Sequence, residues 1–264
     1  MTNAWLFPPE TRAVQVDEKG SFVGTKEKHG DRDDPADDDG GDPWDHVALD
    51  AEHRLVLGVA PGRPAPAHTV ELVKDVHRRT GGQPLELFTS DENPADALAI
   101  LAVYGAEKQP RRRGQRGRRP RPVKVPPKEL VYATVPKTRE KNRVVGVETR
   151  VIYGSQARVR AALQNSSVSA TVNTVFVERH HGTDRNRNAR KGRQTSCFSK
   201  EGQVPEAVTY FTMYSYNFCW PVRTRRQGSR RHGYQQRTPA MAAGLADHIW
   251  TLKEWLTLPA VQRK

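Results

Sequence analysis

A mixed α/β fold in one domain spanning residues 1–264 is what the sequence predicts, and three observations carry it. Apolar residues alternate with period two in three successive stretches near the start of the chain. Helical apolar stripes then flank one further short strand. No internal repeat and no apolar run of membrane length breaks the order.

The elements can be justified in turn. Residues 13–24, AVQVDEKGSFVG, read as a first strand, with Val14 and Val16 on one face and Asp17 on the other. Residues 46–60, HVALDAEHRLVLGVA, read as a hairpin that turns at 50–53 and returns through Leu55, Leu57 and Val59. A Pro-rich loop leads to a helix over 67–79, striped by Leu72, Val73 and Val76 and stopped by Gly81 and Gly82. PLELFTSDENP gives a fourth strand ending at Asp91. Asn93 then caps a helix that Pro94 opens and Gly105 closes. ELVYATVP and NRVVGVETRVIYG form a second antiparallel pair, followed by a short helix over 155–165. A helix from about 173 carries NTVFVERHHGTDRNRNARK. EAVTYFTMYSYNFCW forms another, which Pro221 stops, with its aromatics as a core face. Residues 238–256 form a helical tail that starts at Thr238 and Pro239.

Charge is distributed unevenly. The run 31–45 holds eight Asp and one Arg, a local −7, which leaves +20 on the remainder of a chain whose net charge is +13. It reads as a solvated acidic loop. Within an insert over 106–128, residues 108–128 hold ten Lys and Arg and no acid. The Pro and Gly among them predict a disordered, DNA-contacting segment that includes Arg111, Arg112, Arg113, Arg118 and Arg119. A cationic surplus clustered in this way attracts polyanions, through the counterions that phosphate contacts release. Cys197 and Cys219 lack metal-ligand spacing and read as buried, inert thiols. The opening MTNAWLFPPE has no signal-peptide pattern, so a cytoplasmic, nucleoid-associated protein is expected, with no membrane partner.

Three segments carry the chemistry: VQVDEKGSFVG, LFTSDENP, and TVFVERHHGTDRNRNARK with SCFSK after it. Each puts an acid at a strand end or on a helix, where a backbone can hold it rigidly. Carboxylates so placed suit a pair of divalent ions in phosphodiester cleavage. Together the segments resemble the DDE transposases of bacterial insertion sequences, in particular the insertion-sequence-one type. The resemblance runs from about Val14 to Leu256. Its most specific piece is Glu178-Arg179 with Arg185 seven positions on, then Arg190-Lys191 and Phe198-Ser199-Lys200.

The resemblance implies a ribonuclease H-like fold with a five-stranded mixed sheet flanked by helices. It puts the first Asp on the first strand, the second after the fourth and the Glu on a later helix. It further implies catalytic and metal-binding roles for Asp17, Asp91 and Glu178, with two Mg²⁺ or Mn²⁺ ions. The implied reaction is hydrolysis at the element ends followed by strand transfer from the freed 3′-hydroxyl. The implied partners are double-stranded DNA, both element ends and target, and further copies of the chain on that DNA. Arg179, Arg185, Arg187, Arg190 and Lys191 are the expected DNA contacts. The gap from Asp91 to Glu178 is long for such enzymes and holds the basic insert and an extra hairpin pair. The family's zinc-binding and helix-turn-helix module has no counterpart here. The expectation is that a separate upstream frame supplies it or that the gene is truncated.

Simpler roles stand beside these. Asp17 suits a strand-end turn, Asp91 a helix cap, and Glu178 a surface ion pair, while Glu18 and Glu92 are the neighbouring acids open to confusion with them. His181, at i+3 from Glu178, reads first as a packing histidine. The competing functions are a decayed transposase without activity and a basic nucleic-acid-binding protein without chemistry. Carboxylates that converge without metal predict that at least one has a raised pKa.

Overall fold

Strand β1 (Ala13–Gly20) divides the molecule by its two faces. Val14 and Val16 are buried on one side, whereas Gln15, Asp17 and Lys19 point to the other. The structure, a computed structural model, describes residues 11–24, 42–63, 65–110, 120–141, 143–192, 195–200, 203–229 and 233–257.

β2 (Trp44–Asp50) and β3 (Val56–Gly62) follow as the expected hairpin. The Asp50 carboxylate accepts from the Glu52 and His53 N–H groups at 2.8 and 3.0 Å and so shapes the turn. α1 (Pro66–Arg79) ends before Gly81 and Gly82, both with positive φ. β4 (Leu87–Ser90) runs parallel to β1. α2 (Pro94–Tyr104) is capped by Asn93, whose Oδ1 accepts from Ala95 N at 3.0 Å, as the sequence predicts.

β5 (Ala106–Lys108) pairs with β6 (Val123–Val125), so both ends of the insert are ordered as a ribbon and not irregular as expected. Arg111, Arg112, Arg113, Arg118 and Arg119 lie outside the described residues. Most of the acidic run does too, but its end differs from expectation. Trp44 and Asp45 belong to β2, and Asp45 is buried.

β7 (Tyr132–Thr134), β8 (Lys137–Glu140), β9 (Arg143–Val147) and β10 (Arg150–Tyr153) replace the simple pair predicted after the insert. β7 pairs with β10, while β8 and β9 fold on each other as a separate exposed hairpin. Pro136 lacks an N–H and separates the two ladders. The main sheet therefore has six strands, in the order β10-β7-β4-β1-β2-β3, where five were expected. β10 is the addition, at the edge.

α3 (Gln156–Asn165), α4 (Val175–Arg187), a 3-10 turn at Ala189–Lys191 and α5 (Gln203–Cys219) follow. β11 (Gln227–Ser229) and β12 (Gly233–Gln235) form a small hairpin. The tail is not one helix. α6 (Pro239–Ala242) stops at Gly244, which takes a positive φ, and α7 (Leu252–Thr257) resumes later. Between them Trp250 stacks on Phe218 of α5, ring centroids 4.7 Å apart.

The sheet is buried on both faces. Val14, Val16, Leu57 and Phe88 pack with Leu72, Val73 and Val76 of α1 and Ile100 of α2. On the opposite face Val47, Leu49 and Val59 pack with Val177 of α4 and Met213 and Tyr216 of α5, and Leu87 and Val131 pack with Val159 of α3. The predicted aromatic face is only partly core, since Phe211 of α5 and Trp220 just after it are exposed. Cys197 is exposed and not buried, and Cys219 is half-buried; both are free. Among the described residues no helix is long and apolar enough to cross a membrane.

A buried charge network fastens α4 to this frame. Lys19, fully buried, pairs with Asp184 of α4 and lies 3.3 Å from Asp45 of β2. Lys191 reaches the same Asp45 and Thr209 of α5. Burial alone would raise the Asp184 pKa, but Lys19 and Lys191 hold it below the usual carboxylate value. A carboxylate depressed in the fold contributes stability above its unfolded pKa and loses it as pH falls through the folded value. Lys19→Met should therefore cost about 3–5 kcal/mol at pH 7 by urea denaturation, because it strands buried carboxylates. The deficit should shrink below about pH 4. A loss under 1 kcal/mol at pH 7 would show that the network is not needed.

Candidate functional site

The parallel pairing of β1 with β4 brings the two aspartates together. Val16 lies opposite Ser90 in the register, so Asp91, just past the end of β4, comes beside Asp17 at the strand spacing of about 5 Å. Asp17 itself lies within β1, paired with Val47, and not at a strand end as expected, because β2 continues the ladder to Gly20. The third acid arrives on α4, and β1 itself places that helix. Gln15 Oε1 accepts from the N–H groups of Phe176 and Val177 at 3.0 and 3.1 Å, satisfying two first-turn donors. Gln15 Nε2 donates to the Asn173 carbonyl at 2.7 Å. Glu178 thus stands in the first turn of a helix anchored two residues from Asp17.

Two side chains join the acids. Thr174 Oγ1, on a buried residue, lies 3.0 Å from Asp91 Oδ1 and 2.9 Å from Glu178 Oε1. Lys137 Nζ sits 3.2 Å from both Asp91 oxygens and 2.5 Å from Glu178 Oε1. Burial raises the Glu178 pKa, but Lys137 and Thr174 overcome it and keep the group below its ordinary value. On the flank of the site, buried His181 brings Nε2 to 3.2 Å from Asp17 Oδ2, with poor hydrogen-bond alignment. The expected packing role for His181 is thus met against the first aspartate. Asp17, Asp91 and Glu178 lie on one side of the sheet.

The neighbouring acids are occupied elsewhere. Glu18 accepts from Asn93 Nδ2 at 2.5 Å and lies 3.6 Å from His46 Nδ1, on the opposite face of β1. Glu92 pairs with Arg150. Among the described residues no group of three or more His, Cys, Asp or Glu is drawn together as a ready metal cage. The Lys137 ammonium sits between Asp91 and Glu178.

Of the expected DNA contacts, Arg185 and Arg190 line a hollow of about 490 Å³ beside Glu18. Lys191 is a correction. Although it borders that hollow, it is buried and its ammonium is spent on Asp45 and Thr209, so it serves the fold. Arg179 and Arg187 face away from the carboxylates, toward a separate pocket.

Sequence reasoning missed Lys137, Thr174, Gln15 and Asp96. A signal for Lys137 exists: β7 runs parallel to β4, so its end opens at the same sheet edge as Asp91. A raised carboxylate is found at Asp96, at the start of α2, whereas Glu178 is lowered. Asp96 is buried, and neither oxygen has a hydrogen-bond partner. The neighbouring Ser90 hydroxyl is committed to the Asp91 carbonyl and to Tyr132, 2.8 Å from each. Burial first, then the charges of Glu18, Asp17 and Asp91, push Asp96 up to about 8.

An acid raised in the fold gives stability that is present below its unfolded pKa and lost as pH rises through the folded one. From about pH 4 to 8 Asp96 should therefore lower stability by up to about 1.4 kcal/mol per pH unit. Asp96→Asn should flatten that slope in Tm measured from pH 5 to 9. An unchanged slope would place the titration elsewhere. In comparison with known proteins, the chain matches no family model and no curated protein.

Proposed function

We propose that this chain is the catalytic domain of a DDE-type DNA transposase with a ribonuclease H-like fold, which cleaves DNA and transfers strands with divalent ions. The observation that carries the reading is the placement of Asp17, within β1, beside Asp91 at the end of parallel β4, with Glu178 of α4 tied to Asp91 through Thr174 and Lys137. All three are hard oxygen donors, which suits Mg²⁺ or Mn²⁺. The Lys137 ammonium between Asp91 and Glu178 stands in for such a cation and supports the fit. Asp17, Asp91 and Glu178 would hold two ions, which supply an activated attacking oxygen and a stabilised leaving oxygen.

The chain's own part is positioning. Gln15 holds the helix that carries Glu178, and Thr174 fixes the facing oxygens of Asp91 and Glu178. Arg185, seven residues after Glu178 on the same helical face, and Arg190 offer cations to a DNA backbone at the hollow beside Glu18. The basic segment that contains Arg111, Arg112, Arg113, Arg118 and Arg119 adds sequence-independent affinity for double-stranded DNA. Assembly of further copies on element ends and target, and a separate DNA-binding protein from an upstream frame, belong to the same proposal. A second reading, a nucleic-acid-binding protein or transposase relic without catalysis, draws on one observation: Lys137 already pairs with two of the three acids and offsets one of their charges.

Nicking of supercoiled plasmid decides between them. Wild type should nick with Mg²⁺ or Mn²⁺. Asp17→Asn and Glu178→Gln should each reduce the rate about 10³-fold, the several kcal/mol that metal-held charge stabilisation supplies. DNA binding should stay within about threefold. Wild type that never nicks with either ion would favour the binder. Lys137→Met should lower the Mn²⁺ concentration that gives a half-maximal rise in Tm, since a competing cation is gone. An unchanged or higher concentration would mean that the ammonium does not occupy the ion's place.

A further inference from the structure

A second concave site lies behind α4, away from the carboxylates. Its volume is about 300 Å³, and four arginines line it, Arg54, Arg179, Arg187 and Arg223, with no Asp or Glu among the lining residues. The nearby acids are engaged elsewhere. Asp184, one turn before Arg187, pairs with Lys19, and Asp50 is bonded to Thr11, to His53 and to its own turn.

Each arginine is supplied by a different constraint. Arg54 occupies the β2–β3 turn with φ 63°, unusual for a residue with a side chain, and its guanidinium lies 3.4 Å from the Phe176 ring centroid. Its buried Nη1 has no hydrogen-bond partner, and burial together with Arg225 pulls its pKa down to about 10. Arg187 stacks 3.9 Å over Trp220 and lies 5.4 Å from Tyr216. Arg179, Thr183 and Arg187 repeat every four residues along one face of α4. Glu178 and His181 occupy the other face. Arg223 arrives from the segment after α5.

Four like charges with no carboxylate lining the pocket repel one another, offset in part by Asp50 near Arg54 and Asp184 near Arg187, and an orphaned guanidinium nitrogen costs free energy. An anion offsets both. The stacked aromatic and guanidinium planes suit a flat ring beside that anion. At about 300 Å³ the pocket matches one small ligand and is too small to enclose a duplex.

We propose that this pocket binds one nucleotide of single-stranded DNA, with its phosphate among the four arginines and its base against the aromatic and guanidinium planes beside Phe176 and Tyr216. The α4 helix, about 10 Å thick, separates it from the carboxylates, so the nucleotide held is not the one next to the cleaved bond. The inference rests on the proposed transposase reading only for the role of that strand. Its test needs no cleavage.

Fluorescence anisotropy with a fluorescein-labelled oligothymidylate and a duplex of equal length provides that test. Arg179→Gln with Arg187→Gln, both at exposed residues, should weaken single-strand binding about tenfold or more and duplex binding less than about threefold. Phe176→Leu removes a stacking plane without changing charge. It should weaken the single strand severalfold and leave the salt slope unchanged. Deoxyadenosine monophosphate should displace the single strand at concentrations where inorganic phosphate does not. Equal loss for single strand and duplex, unchanged single-strand affinity in both variants, or phosphate competing as well as the nucleotide would each overturn the proposal. Wild type that fails to nick but passes these tests would sink the transposase reading alone.

Discussion

The polar face of β1 governs the arrangement. Gln15, Asp17 and Lys19 lie two residues apart on one face of a central strand, where an apolar run is the norm for a sheet covered on both sides. Each meets α4 at a successive turn: Gln15 at the N–H groups of Phe176 and Val177, Asp17 at His181, Lys19 at Asp184. The strand advances about 6.6 Å per pair of residues and the helix about 5.4 Å per turn, so the two repeats stay in step over this length. Glu178 has its place because the contacts on either side of it leave the helix no freedom to slide. The cost is a set of buried polar groups, each of which must be satisfied, and most of them are.

How much of this was legible follows from the range of the interactions. β1 to β4, α1, α2 and the Asn93 cap are local patterns, and the structure reproduces them. Asp91 is legible as a strand-end acid and Asp17 as an acid on the face opposite Val14 and Val16, since period-two alternation sets the strands that carry them; that β1 runs on past Asp17 to Gly20 is not legible. The contacts that organise the site are not local. Gln15 meets residues of α4 about 160 positions away, and Lys19 meets Asp184 at 165. No periodicity marks such pairs. Lys191 shows the reverse difficulty. It sits in a basic run and reads as a DNA contact, but Asp45 draws it into the interior. The acidic run that reads as wholly solvated in fact ends in that buried partner.

The segment between Asp91 and Glu178 departs most from a simple α/β count. Its strands are short, and their composition does not say which pairs with which. Pro136 and the charged alternation of Lys137, Arg139, Lys141 and Arg143 let β8 and β9 leave the sheet, so β10 rather than β9 takes the edge beside β7. The departure has a chemical result. The same turn away from the sheet that begins the hairpin delivers Lys137 to the acids.

Helix α4 then joins two kinds of charge. On one face Glu178 stands with Asp91 and Lys137, and on another Arg179 and Arg187 border a pocket without carboxylates. A helix suits this division because residues about 100° apart in projection look onto different surroundings, while its backbone keeps them at fixed separation. The helix is held by buried ionic contacts as well as by apolar ones, through Val177 beneath it and Lys19 at Asp184. Ionic contacts specify register where hydrophobic burial alone tolerates sliding. A shift of α4 by one residue would separate Gln15 from its two amides and Lys19 from Asp184 together. It would also rotate Glu178 away from Thr174 and Asp91. The buried network and the carboxylate site therefore share one alignment, and neither can be changed without the other.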